Sequence, residues 1–438
     1  MNRILIFSLL IILALGQPLL KRSRRSKHGE DCISDAACDE GLICRTYRCY
    51  TKFEAFNLKS LGLLTKDICD SKKICPVNQI CVRHRCVPKD TPLPTPMNRT
   101  KDIDDIHIIF SGSVSLGKNA YLSGLKPDNT INYDHIFTHI SKYIKSADIA
   151  VTEVDSAFYI NSQSNKIVKN YKNTPKELAD GLVNAGFCVI NHASSNAYAF
   201  KRQGIIDTLN YYSTRFPKVH PLGIASTPEQ ANEDYFIYSQ DNIKVGIVNF
   251  CGLFKNNIPK ADQFMVNTIS QQKLEMVLAK VKPQVDFLIV CIDWGKKTAL
   301  LPTKTQILWA KDIAAYGVDV IIGNFPSEVQ PVSYVQASNG RKALVFFSLG
   351  TLVGESTKVP HLLGALANIV ISKPPKGPAY LSSYNLIPII NHVTKNNYTI
   401  YKFTEYNENL GQLVFKKFKM EKMKNLCKLK MPAFAHCG

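Results

Sequence analysis

From about residue 104 to residue 350, short apolar runs alternate with stretches of helical spacing, and most of the runs end in a loop rich in glycine, serine, asparagine or acidic residues. This alternation restricts the fold more than any other feature. A strand that is apolar throughout must be covered on both faces, so strands alternating with amphipathic helices indicate a layered α/β fold. Strands are expected at 106–110, 147–154, 187–190, 287–292, 318–322 and 343–347. Helices are expected at 133–147, where Ile136, Ile140 and Ile144 recur at helical spacing, and at 176–185, between Thr174-Pro175 and Gly186. Two more are expected at 272–281 and 303–316. Gln240-Asp241-Asn242 reads as a hairpin turn between strands 235–238 and 244–250. A segment of this length is ample for one large core.

The first hundred residues follow different rules. Arg3 and a nearly unbroken apolar run from Ile4 to Leu15, then Ala14-x-Gly16, have the form of a cleaved secretory signal over 1–16. A basic arm, 17–30, contains Lys21-Arg22-Ser23-Arg24-Arg25, which suits a processing protease or a polyanion equally. Within 31–87, Cys32, Cys38, Cys44 and Cys49 have intervals that Cys69, Cys75, Cys81 and Cys86 repeat without change, so the segment is a tandem duplication. Each copy is too small to bury a useful core, and an oxidising compartment favours disulfides over zinc, whose ligand pairs stand closer together. Four cysteines allow three pairings per copy, and spacing does not choose among them. A proline-rich linker, 88–103, separates this module from the domain at 104–375, and an extension at 376–438 is β-rich and basic. Asn98 and Asn397 begin N-glycosylation sequons.

The chain has 438 residues and carries a formal charge of +19, from 54 Lys and Arg against 35 Asp and Glu, which favours anionic partners. A secretory signal makes nucleic acid a poor candidate. No apolar run reaches the ~18 residues that would span a bilayer, so no transmembrane anchor is expected. The segment 416–430 has seven lysines interspersed with apolar residues. It suits an acidic glycan or an anionic membrane face, or simply a helix packed by its apolar stripe. Cys427 and Cys437 are placed to close a small loop, whereas Cys188, Cys251 and Cys291 sit at strand ends as buried thiols or one pair and an odd thiol.

The cysteine spacing resembles the Dickkopf-type cysteine-rich module, which implies an interaction role without chemistry. In the larger domain the loops read Gly112-Ser113, Thr152-Glu153-Val154-Asp155, Ser194-Ser195-Asn196, Asp293-Trp294-Gly295, Gly323-Asn324-Phe325-Pro326-Ser327-Glu328-Val329-Gln330 and Phe347-Ser348-Leu349-Gly350-Thr351. This succession resembles the capsule-synthesis CapA family, also called poly-gamma-glutamate biosynthesis proteins. The resemblance implies a calcineurin-like metallophosphoesterase fold, an αββα sandwich. It also implies a first-loop aspartate and several loop histidines. Here Ser113 stands for the aspartate, and Asn196, Asp293, Asn324 and Ser327 stand where imidazoles are expected. Trp294, Pro326, Gln330 and the glycines keep the backbone-shaping positions.

The candidate cleft residues are therefore Ser113, Glu153, Asn196, Asp293, Trp294, Asn324 and Glu328. Two-metal hydrolysis needs ligands that fix the ions and acidify a bound water. Glu153, Asn196 and Asp293 offer only oxygen, which suits a hard divalent cation such as Mg²⁺, Ca²⁺ or Mn²⁺, if any. Two readings follow. One is a secreted pseudoenzyme that binds an acidic glycan, a polyanionic polymer or a cell-surface protein. The other is an active CapA-type enzyme of anionic polymer synthesis or phosphoester hydrolysis with a rearranged ion site.

Overall fold

The computed structural model describes residues 104–160, 174–253, 258–354, 356, 358–431 and 437, with the backbone of 42–45, 48–51, 79–82 and 85–88. The chain divides into two compact units, Met1–Leu64 and Thr65–Gly438. In the first, Leu42–Arg45 pairs antiparallel with Arg48–Thr51, setting Cys44 opposite Cys49. In the second, Gln79–Val82 pairs with Arg85–Pro88, setting Cys81 opposite Cys86. Both sequence copies thus form the same hairpin at their third and fourth cysteines. The signal, the basic arm, the linker, Asn98 and the cysteine pairings lie outside the described residues.

The α/β domain is built from two sheets. The first contains β1 (Asp104–Val114), β2 (Ile149–Val154), β3 (Val189–Asn191) and β4 (His220–Leu222), all parallel. The second is ordered from the edge strand β5 (Phe236–Gln240) through β6 (Ile243–Cys251), β7 (Phe287–Asp293) and β8 (Val320–Asn324). It ends with β9 (Val329–Gln336), which pairs antiparallel with β10 (Lys342–Leu349), the strand next to β8. The first sheet is completed by β11 (Thr351–Val353), β12 (Leu363–Lys373), β13 (Tyr380–Thr394) and β14 (Asn397–Lys402). The segment after residue 376 therefore supplies two strands of the central sheet. Asn397 is exposed at the start of β14.

Strand β7 shows why the sheets stack. Its alternate residues Phe287, Ile289 and Cys291 enter the core shared with the first sheet. Leu288, Val290 and Ile292 are equally buried on the opposite face. A strand covered on both sides needs no polar alternation, hence the continuous apolar run. Strands β6, β8 and β10 lie against β1 across the interface. Helix α1 (Glu177–Ala185) buries Leu178 and Leu182, and Gly186 ends it at φ +115°. Helix α2 (Lys201–Arg215) contacts β4. Helix α3 (Gln271–Val281) packs Val281 over Gly246 of β6, and α4 (Lys304–Ala315), started by a Thr303–Gln306 capping box, lies on β9 and β10. Among the described residues no helix is long and apolar enough to cross a membrane.

The helix expected over 133–147 is instead two short pieces, Asp134–Phe137 and Ser141–Ile144. The Ile140 N–H bonds back only to Phe137, and Thr138 turns its hydroxyl onto the Asp134 carbonyl at 3.4 Å. Such local bonding competes with the helical ladder. Ile136, Ile140 and Ile144 remain fully buried, so the spacing correctly marked the inner face.

Gly112 sits where β1 passes the Gly350 carbonyl, and a β-carbon there would collide with that oxygen. We predict that Gly112→Ala destabilises the domain by about 2 kcal/mol, an overpacking cost. Urea denaturation measures this directly.

Candidate functional site

The inward phase of each central strand runs out into a polar residue at its carboxyl end. On β2, Ile149 and Val151 lead to Glu153, and on β7 the phase leads to Asp293. Likewise β8 ends at Asn324, and β6 ends at Asn249 and Cys251. Strand register sets these ends level. Ser113 and Asn191 both pair with Glu153, and Cys251 and Asn324 both pair with Asp293. In α/β sheets this is where ligands gather. Here the layer is enclosed: Glu153 is 1% exposed, Asp293 0% and Asn324 4%. The void beside it, lined by Phe110, Ser111, Asn191, Cys291 and Asn324 among others, leaves no room for a water-sized sphere.

Ser113 joins the sheets. Its hydroxyl donates to Glu153 Oε2 at 2.7 Å and accepts the Phe325 N–H at 3.0 Å. Phe325 lies at φ +87°, a conformation that costs a non-glycine residue on the order of 1–3 kcal/mol, so this bond helps hold a strained loop. A second cross-link runs from the Asn249 amide to Asn191 Oδ1. Asn324 Oδ1 is buried with no hydrogen-bond partner.

Carboxylate oxygens of Glu153, Asp155 and Asp293 lie within 4.8 Å of one another. Asp155 is not among the ligands expected from the sequence, although it follows Glu153 by two residues and so shares its face at the strand end. Asp293 Oδ2 accepts the Ser195 N–H at 2.9 Å, and the Cys251 sulfur stands 3.9 Å from the same oxygen. Burial, reinforced by the charge of Asp155, pushes Glu153 up to about 8, against the opposing Ser113 hydrogen bond. Burial and then Asp293 raise the Cys251 thiol, and burial and then Glu153 raise Cys291. Both cysteines are free, as is Cys188, and such raised thiols are poor nucleophiles.

The other candidates stand elsewhere. Asn196 is exposed and donates its amide to Asp155 Oδ2 at 3.1 Å, so its nitrogen, not its oxygen, meets the carboxylates. Trp294 is buried, donates to the Phe347 carbonyl at 2.9 Å and stacks on the Phe347 ring. Gln330 accepts from Gln306 and donates to the Ala299 and Leu301 carbonyls, clamping the loop before α4. Glu328 is buried in an ion pair with Lys430, and His361 Nε2 is 3.7 Å from its other oxygen. Lys430 belongs to a C-terminal helix far along the chain, and no local motif announces that pair. His192 is fully buried. Its Nδ1 must donate to the Ser156 carbonyl at 2.8 Å, which leaves Nε2 to accept from the Tyr212 hydroxyl at 3.0 Å. Burial lowers it to about 4, so it remains a neutral core residue.

The donor set decides which ion fits. Three carboxylates, with a buried amide oxygen on the neighbouring strand, suit one hard cation such as Mg²⁺ or Ca²⁺. No histidine joins the carboxylate cluster among the described residues, so the set does not fit a pair of transition-metal ions held by imidazoles.

Glu153 gives a pH signature. The ion-free folded state keeps a proton on it above pH 4.5, where the unfolded chain has lost it. Stability therefore falls as pH rises from about 4.5 towards 8, at most by about 1.4 kcal/mol per pH unit. Urea denaturation in chelator should show this fall, with a shallower one in Glu153→Gln.

The model of the family described as bacterial capsule synthesis protein PGA_cap matches residues 107–356, more than half of the chain. The capsule biosynthesis protein CapA of Bacillus anthracis is 23% identical over 235 residues, 51% of this chain and 55% of that protein. The PGA biosynthesis protein CapA of Bacillus subtilis (strain 168) is 21% identical over 261 residues, 59% of this chain and 66% of that protein. The chain thus spans less than two thirds of the length of these curated relatives. Among solved structures, Haemophilus influenzae NAD nucleotidase aligns at a TM-score of 0.40 with 10% identity, covering 72% of this chain and 63% of that one. A Mycoplasma pneumoniae phosphatase aligns at 0.40 with 13% identity, covering 66% and 94%.

Proposed function

Because this chain belongs to the bacterial capsule synthesis protein PGA_cap family, we propose that it is a secreted, non-catalytic member that binds an anionic polymer. The observation that carries this reading is the chemistry of the strand ends. Ser113, Asp293 and Asn324 supply oxygen donors at positions where hydrolysis by paired metal ions would need a bridging aspartate and imidazoles. Enclosure of that layer further disfavours a reaction there.

The polymer would bind on the rim above the layer. Loop 325–328 is tied to the loop before α4 by the Ser327 N–H, which donates to the Lys297 carbonyl at 2.7 Å. Burial lowers the His361 pKa, Glu328 pulls it back up, and Lys358, Lys430 and Lys297 lower it again. Lys358, Lys430 and Lys297 thus act together on His361 at this edge, Lys430 being paired with Glu328, and the chain's charge of +19 has the same sign. Extended acidic polymers are held by such fields with a strong dependence on salt.

The carboxylate cluster supports a second reading, an active enzyme with one hard cation. Glu153, Asp155 and Asp293 would hold the ion, which would polarise a phosphoryl or carboxyl oxygen. Ser113 would then orient Glu153.

Two assays on the full secreted chain separate the readings. Calorimetry with poly-gamma-glutamate should give binding that falls as salt rises and weakens about tenfold in Lys297→Glu/Lys358→Glu. Phosphoester hydrolysis with Mg²⁺, Ca²⁺ or Mn²⁺ should stay at background. Turnover abolished by Asp293→Asn would overturn the binder reading and establish the second.

A further inference from the structure

The C-terminal segment divides its apolar residues between two tasks. Helix α6 (Met420–Lys430) turns its stripe inward: Met423 and Cys427 are buried, and a disulfide joins Cys427 to Cys437. The turn before it does the reverse. Helix α5 (Glu408–Val414) runs into a tight turn in which the Phe418 N–H donates to the Phe415 carbonyl at 2.8 Å, leaving Lys416 and Lys417 at the tip. Phe418 anchors the turn. Its ring is buried against Tyr406 and over Gly411, where any β-carbon would collide with it. Leu413 and Phe415 point the other way and are 69% and 48% exposed. Lys416 and Lys417 are exposed beside them, and no carboxylate pairs with either among the described residues.

We propose that this turn is a docking tip for an anionic membrane surface. An acidic polymer in water would satisfy the lysines but offer nothing to Leu413 and Phe415. A lipid interface satisfies both, with headgroup charge on Lys416 and Lys417 and the acyl boundary on the two apolar side chains. The anchor at Phe418 matters because a tip already held in shape loses little conformational freedom on docking. This surface is separate from the strand-end site and does not depend on the polymer-binding reading.

Sedimentation of the full chain with phosphatidylcholine vesicles, with and without phosphatidylglycerol, tests the proposal. Binding is expected only to the anionic vesicles. It should weaken about tenfold or more in Leu413→Ser/Phe415→Ser and to a similar degree in Lys416→Glu/Lys417→Glu. All four positions are exposed, and an unchanged melting temperature would show that each variant is folded. Failure of the wild-type chain to sediment with anionic vesicles would overturn the proposal. So would a Leu413→Ser/Phe415→Ser variant that binds as wild type while the charge-reversed one does not, which would identify plain electrostatic adsorption.

Discussion

Desolvation at the carboxyl ends of the central strands governs this molecule. Two sheets bury their facing sides against each other, and the apolar phase of each strand stops at one level. Glu153 and Asp293 stand at that level with almost no exposure. A carboxylate held there without a counter-charge is costly, so it must take up a proton, gain strong hydrogen bonds or bind a cation. The Ser113 hydroxyl on Glu153 and the Ser195 N–H on Asp293 provide part of that compensation. The same hydroxyl steadies the positive-φ Phe325. Ser113 thus contributes a hydrogen bond that links the two sheets.

Most of the layering was legible because it rests on short-range pattern. Continuous apolar runs at β7 and β8 announced strands covered on both faces. Thr174-Pro175 announced a helix start, and Gly186 a stop. The loop succession announced the family, which the match over residues 107–356 establishes. The phase of the strands also pointed to the polar layer, since Glu153 and Asp293 each continue an inward-facing series.

What escaped the sequence depends on distance or on competition. Asp155 lies one residue beyond β2, where strand alternation no longer has to hold. The bond from the Phe325 N–H to Ser113 spans 212 residues, and Lys430 reaches Glu328 across 102. No periodicity encodes either. The segment 133–147 kept its buried face but not its helical continuity, because Thr138 offered the backbone another partner. The late strands β13 and β14 looked like an extension because nothing local says that they continue the sheet of β1 through β12. Residues before 104 contribute two matching hairpins, and the pairing of their cysteines lies outside the described residues.

The central claim is that the strand-end layer is an oxygen site which accepts one hard cation at most. Elemental mass spectrometry of the full chain, purified without chelator or metal-affinity resin, tests it most directly. An all-oxygen site predicts no zinc or iron, and no more than about one magnesium, calcium or manganese per chain. Two transition-metal ions per chain, lost together on Asp293→Asn, would contradict it.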